Sequence, residues 1–337
     1  QGEDMEQDRF LAFVVSEDAS KGILRGIQEK KIEELPPGEV VVKVSYSSLN
    51  YKDALSANGN KGVTKHYPHT PGIDAAGIVV DSSDSNWKPG DAVICTGYDL
   101  GMNTDGGFGQ FIRVPGNWLV RKPETLSLNE AMQLGTAGFT AALCVSGLIT
   151  NGITPEKGPV LVTGATGGVG TVAILLLVKL GYLVTAVSGK TAAQSFLKDL
   201  GVNEVVDRAT FLADHDRAML PAKWAGVVDT VGGNILATAI KGTGFDGVVT
   251  CCGNAASGDL PLNVYPFILR GVHLLGIYSA NCSMEKRLRV WQKLSKEWKL
   301  DRLKTLCRTI GLEDLDDEIK KMLAGKSKGR CVVALGD

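Results

Sequence analysis

The sequence has no block of like charges and no long run of apolar residues. Its 337 residues include 36 Lys and Arg against 37 Asp and Glu, for a formal net charge of -1. Without a basic block, neither nucleic acid nor an anionic membrane is expected as the main partner. The apolar stretch at residues 172–178 is too short to span a bilayer.

Metal-ligand spacing is also missing. The chain has seven cysteines and four histidines, but no two cysteines form a C-x-x-C pair and the histidines show no metal-binding spacing. Cys251 and Cys252 end an apolar run, which is typical of buried small hydrophobic residues. We predict no bound metal, no zinc ribbon and no redox dithiol.

The composition indicates a globular protein of more than one domain. Hydrophobic residues make up 44% of the chain and charged residues 22%, and 337 residues are a natural length for two domains. Residues 1–8 are polar and acidic, unlike a signal or transit peptide, and the start at Gln rather than Met suggests a processed end. We expect a cytoplasmic protein.

A glycine-rich turn lies between an apolar run and an apolar helix. Residues 160–170 read Val-Leu-Val-Thr-Gly-Ala-Thr-Gly-Gly-Val-Gly, and residues 171–180 continue as the helix. Ala165, Gly167 and Gly170 follow an A-x-G-x-x-G pattern, in which small residues let the backbone turn sharply and approach a pyrophosphate at the helix N-terminus. Strand, turn and helix together predict a dinucleotide-binding site.

The end of the next strand indicates which dinucleotide is bound. Ser188, Gly189 and Lys190 follow a predicted strand at residues 182–187. A site that prefers NAD places Asp or Glu here to accept hydrogen bonds from the ribose hydroxyls, and this turn has neither. Ser188 and Lys190 are suited to hold a 2′-phosphate, with Arg208 after the third strand. Lys190 as a solvated loop lysine is the alternative, and the missing acid favours NADPH.

The periodicity changes along the chain. Up to residue 128, short strands alternate with Pro- and Gly-rich turns, which is typical of a partly open β-barrel-like domain. Strands and helices then alternate, which predicts a doubly wound parallel sheet. A final strand at residues 331–335 is expected to return to the first domain. The predicted fold class is α/β, with domains at residues 9–128, 129–283 and 284–337.

Four stretches carry a resemblance to a known family. They read SSLNYKD at residues 47–53, PGID at 71–74, GTAGFTA at 135–141 and PFILR at 266–270. With these motifs the chain resembles the medium-chain dehydrogenase/reductase superfamily, which joins a GroES-like catalytic domain to a Rossmann domain. Within it, the chain resembles the zinc-free YhdH/YhfP quinone-oxidoreductase-like family, which includes NADPH-dependent acryloyl-CoA reductases. Zinc enzymes of this fold carry Gly-His-Glu where this chain has Gly-Ile-Asp.

The resemblance implies reduction of an activated carbon–carbon double bond by hydride transfer from NADPH without a metal, from acryloyl-CoA to propanoyl-CoA. Asn50 would donate to the developing enolate oxygen, Asp74 would orient it or relay a proton, and Tyr51 would contact the cofactor or donate the proton. In the structural alternative, Asn50 caps the following helix, Asp74 makes a turn hydrogen bond and Tyr51 is a half-buried aromatic. The cofactor contacts that the resemblance implies are Tyr51, Gly167, Gly168, Val169, Gly170, Asn254, Ile268 and Ser279. Thr136 and Thr140 are candidates to contact the nicotinamide ribose, with backbone hydrogen bonds in helices as the alternative. Arg330 is a candidate to reach a phosphate of the cofactor or of CoA, with a solvated arginine as the alternative.

Two other functions share these features. An NADPH:quinone oxidoreductase would have the same fold, cofactor and site. A non-catalytic NADPH-binding protein would not need Asn50, Tyr51 and Asp74, and a redox-sensing regulator would need a reactive cysteine or a basic surface. Residues 272–279 are apolar enough to form an edge strand that pairs with its copy across a two-fold axis, so we expect a homodimer.

Overall fold

Two units are built from interleaved parts of the chain in the computed structural model, which describes residues 9–336. Of the described residues, the first unit contains residues 9–136, 280–296 and 304–336. The second unit contains residues 137–279 and 297–303. The chain therefore changes unit after residue 136, and the domain boundaries given from the sequence stay a prediction. The predictions for residues 1–8 lie outside the described residues.

The first unit begins with an antiparallel hairpin and continues into a mainly antiparallel sheet. The hairpin joins β1 and β2, and β3 then pairs with β4 on one side and with β6 over part of its length. Val40, Val42 and Val44 on β3 are buried, which explains the β-branched run in this strand. The elements are β1 (Arg9–Asp18), β2 (Gly22–Lys31), β3 (Val40–Ser48), α1 (Tyr51–Ala57), β4 (Asp74–Ser82), β5 (Ala92–Thr96), β6 (Phe111–Val114) and β7 (Leu119–Arg121).

The helical segment α2 (Leu128–Thr150) is interrupted at Gly135, where φ is +52° and ψ is −155°. Within residues 9–336, α2 is the helix that is long and apolar enough to cross a membrane by length and composition. Its most apolar window is 72% buried inside the protein, as in the core helix of a soluble protein.

The second unit is a parallel sheet with the strand order β10-β9-β8-β11-β12-β13. All of its pairings are parallel, which confirms the predicted doubly wound sheet, and the order reverses between β8 and β11. Ligands bind such sheets at the carboxyl ends of the strands. The elements are β8 (Val160–Val162), α3 (Gly168–Lys179), β9 (Val184–Ser188), α4 (Gln194–Asp199), β10 (Glu204–Asp207), α5 (Arg208–Phe211), β11 (Trp224–Asp229), α6 (Gly233–Lys241), β12 (Thr243–Cys251), α7 (Tyr265–Arg270) and β13 (His273–Gly276).

The C-terminal part of the chain completes the first unit. Its last strand pairs antiparallel with β3 and parallel with the strand before it, so the predicted return is confirmed. The resulting sheet has the order β14-β15-β3-β4-β5-β7 and remains open. The elements are α8 (Met284–Ser295), β14 (Cys307–Ile310), α9 (Leu315–Leu323) and β15 (Arg330–Ala334).

All seven cysteines are free thiols. Cys95, Cys144, Cys282 and Cys331 are buried, and Cys95 lies on β5 in the core of the first unit. Burial raises the pKa of Cys95 to about 12 and the pKa of Cys331 to about 11.

Candidate active site and cofactor cradle

Asp74 is the centre of a buried polar network in the first unit. It is the first residue of β4 and its exposed fraction is 0%. Ser48 Oγ donates to its Oδ2 at 2.5 Å, and Asn50 Nδ2 donates to the same oxygen at 2.8 Å. Thr136 donates to Oδ1 from its hydroxyl at 2.5 Å and from its backbone N–H at 3.0 Å. Asp74 therefore fixes three side chains that come from two separate parts of the chain, one at residues 48–50 and one at Thr136.

Asn50 is the N-cap of α1, and its side chain also donates to Asp74. Its Nδ2 lies 3.2 Å from Asp53 Oδ2 and 3.3 Å from Ser48 O, in addition to Asp74. Its Oδ1 accepts from Arg330 Nη1 at 3.3 Å. Because both ends of the amide are engaged, Asn50 would have to exchange one of these bonds to donate to a substrate oxygen.

Tyr51 is the exposed member of the site. It is the first residue of α1 and is 45% exposed. Within residues 9–336 no hydrogen-bond partner lies near its hydroxyl. The Tyr51 hydroxyl is thus available to donate to a ligand, whereas the amide of Asn50 is already committed.

Arg330 is buried inside the first unit. It begins β15, its exposed fraction is 2%, and its guanidinium donates inward from all three nitrogens. The acceptors are the carbonyl oxygens of Leu49, Met132, Gln133 and Leu134, at 2.9 to 3.4 Å, and Asn50 Oδ1 at 3.3 Å. The prediction that Arg330 reaches a phosphate is wrong, because a buried guanidinium that is surrounded by carbonyl oxygens has no donors facing a ligand. Its position suits a residue that orients Asn50.

Gly135 separates the Arg330-bound carbonyls from Thr136. A Cβ built on it would lie 2.5 Å from Asp74 Oδ2, 2.6 Å from Ser48 Oγ and 2.8 Å from Arg330 Nη2. Its φ of +52° is also one that residues with a side chain rarely adopt. The network therefore closes around a position that only glycine fits.

Asp53 is the second buried carboxylate of the first unit. Its oxygens accept from the backbone N–H of Asn50 and from that of Ile73, both at 2.8 Å. Burial, followed by the charge of Asp74, raises the pKa of Asp53 from 3.8 to about 7. The sequence indicated Asp53 only as a cap of the short helix that ends at Ala57. An Asn with an Asp three residues later at the start of a helix was the available signal.

The residues around Asp74 do not fit a zinc ion. Its neighbours supply hydroxyl, amide and backbone groups, and the preceding residue is the buried Ile73. Among residues 9–336, no three His, Cys, Asp or Glu side chains come together as a metal site. Zinc prefers Cys, His and carboxylate ligands, so this network has the wrong donors.

The glycine-rich turn of the second unit is anchored by another acid, Asp229, at the end of β11. Thr163 Oγ1 donates to Asp229 Oδ1 at 2.7 Å, and Gly232 N donates to Oδ2 at 3.0 Å. After this anchor the turn enters α3, and a Cβ on Gly170 would lie 2.3 Å from Gly164 O. No side chain of the described residues caps α3, so its first N–H groups point out of the turn toward any bound anion.

Two cations lie beside the turn after β9. Lys190 N donates to Ser188 Oγ at 3.1 Å, which closes the turn. The Arg208 guanidinium lies against Gly189, because a Cβ on Gly189 would be 2.8 Å from Arg208 Cζ. Burial, and then the charge of Arg208, lower the pKa of Lys190. The structure thus brings together Ser188, Lys190 and Arg208, as the sequence predicted for a phosphate subsite.

The remaining predicted cofactor residues fall in different places. Asn254 and Ser279 follow β12 and β13 at the carboxyl edge of the sheet. Thr140 is a buried residue of α2, and Ile268 is 68% exposed on α7. Ile268 is therefore on the outside of the second unit and not among the residues of the turns.

Comparison with known proteins identifies the class. Residues 36–124 match the family described as alcohol dehydrogenase GroES-like domain, and residues 168–296 match the one described as zinc-binding dehydrogenase. Together with the parallel sheet and its glycine turn, these matches define a medium-chain dehydrogenase/reductase.

Two relatives and one solved structure indicate the family within this superfamily. The chain is 46% identical over 304 residues to "Putative quinone oxidoreductase YhfP" of Bacillus subtilis, covering 90% of this chain and 92% of the relative. It is 42% identical over 325 residues to "Acrylyl-CoA reductase AcuI" of Ruegeria pomeroyi, covering 96% and 98%. The solved yhdH oxidoreductase of Salmonella enterica in complex with NADP matches with 40% identity and a TM-score of 0.93, over 97% of this chain and all of that chain.

A solved structure of the Bacillus yhfP protein, with NAD bound, also matches, with 44% identity and a TM-score of 0.93, over 97% of this chain and 99% of that chain. The chain belongs to the zinc-free quinone-oxidoreductase and acrylyl-CoA reductase family of the medium-chain dehydrogenases/reductases. The resemblance that the sequence motifs indicated is therefore confirmed.

Proposed function

We propose that the protein reduces an activated carbon–carbon double bond with NADPH, and that its substrate is acryloyl-CoA, which it converts to propanoyl-CoA. The similarity that carries this proposal is the 42% identity to the acrylyl-CoA reductase of Ruegeria pomeroyi over nearly the whole of both chains. Two features of the described residues support it: the phosphate-binding turns of the second unit and the polar network of the first.

The second unit supplies the residues for the cofactor. Gly167, Gly168, Val169 and Gly170 would receive the pyrophosphate at the start of α3. Ser188, Lys190 and Arg208 offer a hydroxyl and two cations for a 2′-phosphate, and Gly189 leaves room for the guanidinium. The Salmonella relative binds NADP and the Bacillus relative binds NAD, so NADH is the competitor that a test has to include.

The first unit supplies the residues for the chemistry. NADPH, when bound, supplies a hydride to the β-carbon of the enoyl thioester. The π electrons then move toward the thioester oxygen, and a proton must reach the α-carbon. Tyr51, with an exposed hydroxyl that has no partner within residues 9–336, is the proton donor in this proposal. Asn50 directly precedes Tyr51 in the chain and donates to Asp74, and the family resemblance assigns Asn50 and Asp74 to the nicotinamide and substrate.

Asp74 has an orienting role in this scheme. It accepts from Ser48, Asn50 and Thr136, and it has no exposed surface, which argues against direct proton exchange with a ligand. Asn50 polarises the thioester oxygen by exchanging one of its hydrogen bonds for the developing enolate.

Quinone reduction is the second candidate, because the relative from Bacillus is named a putative quinone oxidoreductase. A quinone would use the same cofactor residues but would not need a proton donor at a carbon atom. A non-catalytic NADPH-binding protein is the third, and the set of Asn50, Tyr51 and Asp74 argues against it.

We also propose that the protein is a cytoplasmic homodimer. β13 is at the edge of its sheet and pairs only with β12 among the described strands. Val264 and Leu269 near it are 60% and 59% exposed, and Tyr278 is 63% exposed. An open strand edge with exposed apolar residues is a typical pairing surface for a second copy.

The test follows the absorbance of NADPH with acryloyl-CoA, crotonyl-CoA and a benzoquinone in parallel, and repeats it with NADH. We expect rapid turnover with acryloyl-CoA and NADPH. Tyr51→Phe should lower kcat about a hundredfold, and Tyr265→Phe is the matched control, because Tyr265 is 47% exposed and lies on α7. Turnover of the quinone without either CoA ester would replace the proposed function by the second candidate.

A further inference from the structure

Asp53 accepts hydrogen bonds from two backbone N–H groups, and only one of them belongs to an ordinary helix cap. Its Oδ2 accepts from Asn50 N at 2.8 Å, as a reciprocal cap at the start of α1 does. Its Oδ1 accepts from Ile73 N at 2.8 Å, and Ile73 is the residue directly before Asp74. Asp53 thus connects the backbone of the Asn50 segment to the backbone of the Asp74 segment.

The same carboxylate contacts the side chain of Asn50. Asp53 Oδ2 lies 3.2 Å from Asn50 Nδ2, which donates at 2.8 Å to Asp74 Oδ2. From the other side, Arg330 Nη1 donates to Asn50 Oδ1 at 3.3 Å. The amide of Asn50 is therefore oriented by an acid at its nitrogen end and by a guanidinium at its oxygen end.

Capping a helix with a second buried carboxylate costs free energy. Asp53 is fully buried and lies near Asp74, so its charge is removed from water and repelled by a like charge. An Asn or Ser at this position would satisfy a helix cap without a buried charge. Groups that oppose local stability in this way are found at functional sites.

We propose that Asp53 is a positioning residue of the site, which acts through Asn50 and holds Asn50 and Asp74 in the arrangement that the reaction uses. This inference rests on the proposed function for its kinetic readout. Asp53 itself is buried and makes no contact with substrate in this scheme.

The charged groups around Asp53 come from three directions. Asp74 on β4 acts on it through its charge, and Arg330 on β15 reaches it only through Asn50. Arg25 of β2 and Asp316 of α9, which packs against α1, form an ion pair beside the far end of the helix, where Arg25 Nη1 donates to Ala57 O. Since burial and Asp74 raise the pKa of Asp53 to about 7, protonation near neutral pH removes one acceptor from the Asn50 anchor.

Asp53→Asn tests the proposal, with Ser56→Ala as its matched control. Ser56 is also fully buried on α1, and its hydroxyl bonds Thr64 Oγ1 at 2.6 Å, away from Asn50. We expect Asp53→Asn to lower kcat with acryloyl-CoA by about tenfold to a hundredfold, while the Kd for NADPH stays within about twofold. Ser56→Ala should keep its kcat and lose only thermal stability.

The pH profile separates positioning from a loss of stability. The wild-type kcat should fall as the pH is lowered through about 7, whereas Asp53→Asn should give a flat profile at the low level. An Asp53→Asn variant with wild-type kcat would overturn the proposal, and so would equal losses of kcat in both variants. If Asp53→Asn does not fold, a flat wild-type profile across this range would overturn it.

A crystal structure of Asp53→Asn tests the positioning role of Asp53 without any substrate. The distance from Asn50 Nδ2 to Asp74 Oδ2 is 2.8 Å, and we expect it to exceed the hydrogen-bonding limit of about 3.5 Å in the variant. An unchanged distance would overturn the positioning role. If the wild-type protein turned over no enoyl-CoA but the variant structure showed the expected shift, the proposed function alone would fail.

Discussion

Asp74 of the first unit and Asp229 of the second are both buried acids at the end of a strand, but they are held in opposite ways. Asp74 accepts from Ser48, Asn50 and Thr136, which are 26, 24 and 62 positions away in sequence. Asp229 accepts from backbone N–H groups two and three positions ahead and from Thr163, which directly follows the neighbouring strand β8 and lies 66 positions away. Two of these three bonds are local, whereas every one of these partners of Asp74 lies at least 24 positions away. Changes to the first should therefore affect more of the protein.

The largest effect is expected from Gly135→Ala. The new methyl group would overlap Asp74 and Ser48, and the φ of +52° adds backbone strain. We expect a loss of roughly 3 kcal/mol in the free energy of unfolding and nearly complete loss of activity, measured by urea denaturation and NADPH oxidation. Gly147→Ala, in the same helical segment, is the control because its Cβ would meet its neighbours only at 3.5 Å or more. Equal behaviour of the two variants would contradict the steric argument.

Asp74→Asn and Asp229→Asn compare the two acids directly. Asp74→Asn places an amide among donors, so we expect kcat to fall about a hundredfold with little change in the KM for NADPH. Asp229→Asn disturbs the glycine turn through Thr163 and should mainly raise the KM for NADPH, by about tenfold. Steady-state kinetics with both substrates varied will separate these effects. If both variants changed the same kinetic constant, the predicted difference between the two sites would be wrong.

Gly189→Ala probes the second unit alone. The added Cβ would lie 2.8 Å from Arg208 Cζ, so the guanidinium must move away from the turn. We expect the KM for NADPH to rise about tenfold, equivalent to about 1.4 kcal/mol, with the KM for NADH unchanged. Gly244→Ala is the control, because its Cβ would meet Trp224 O at 3.5 Å. A parallel change for NADH would show that Arg208 does not read a 2′-phosphate.

The smallest effect concerns stability against pH in the first unit. Because the pKa of Asp53 is raised from 3.8 to about 7, the folded state binds more protons than the unfolded state between these values. Its contribution to the free energy of unfolding is therefore full below pH 3.8 and declines as the pH rises to about 7. The wild-type stability minus that of Asp53→Asn, measured by urea denaturation at several pH values, should decline over this window. A difference that rises with pH would contradict the burial argument.

The comparison also explains what the sequence could predict. The turn at residues 163–170 and the Ser188-Gly189-Lys190 turn were found because strand, small residues and helix follow one another in sequence. The role of Asp53 was missed because its bond to Ile73 joins positions 20 residues apart. Arg330 was placed against a phosphate, since its burial depends on β15 returning beside β3.

The strands show the same difference between features that follow from local sequence and features that depend on distant residues. The run of β-branched residues in β3 is typical of a strand, and the burial of Val40, Val42 and Val44 agrees with this. The sequence of β2 gives no such pattern, because polar and charged residues interrupt its apolar ones and the strand is mostly exposed. Its pairing with β1 comes from the hairpin, which periodicity alone does not show.

The raised pKa values of Cys95 and Cys331 matter because the proposed substrate can react with cysteine thiolates. Acryloyl-CoA is a Michael acceptor, and the thiolate is the form of cysteine that attacks such electrophiles. Burial holds Cys95 and Cys331 as neutral thiols, with pKa values of about 12 and 11. An enzyme built this way can work among reactive acrylate without being alkylated at these thiols by its own substrate.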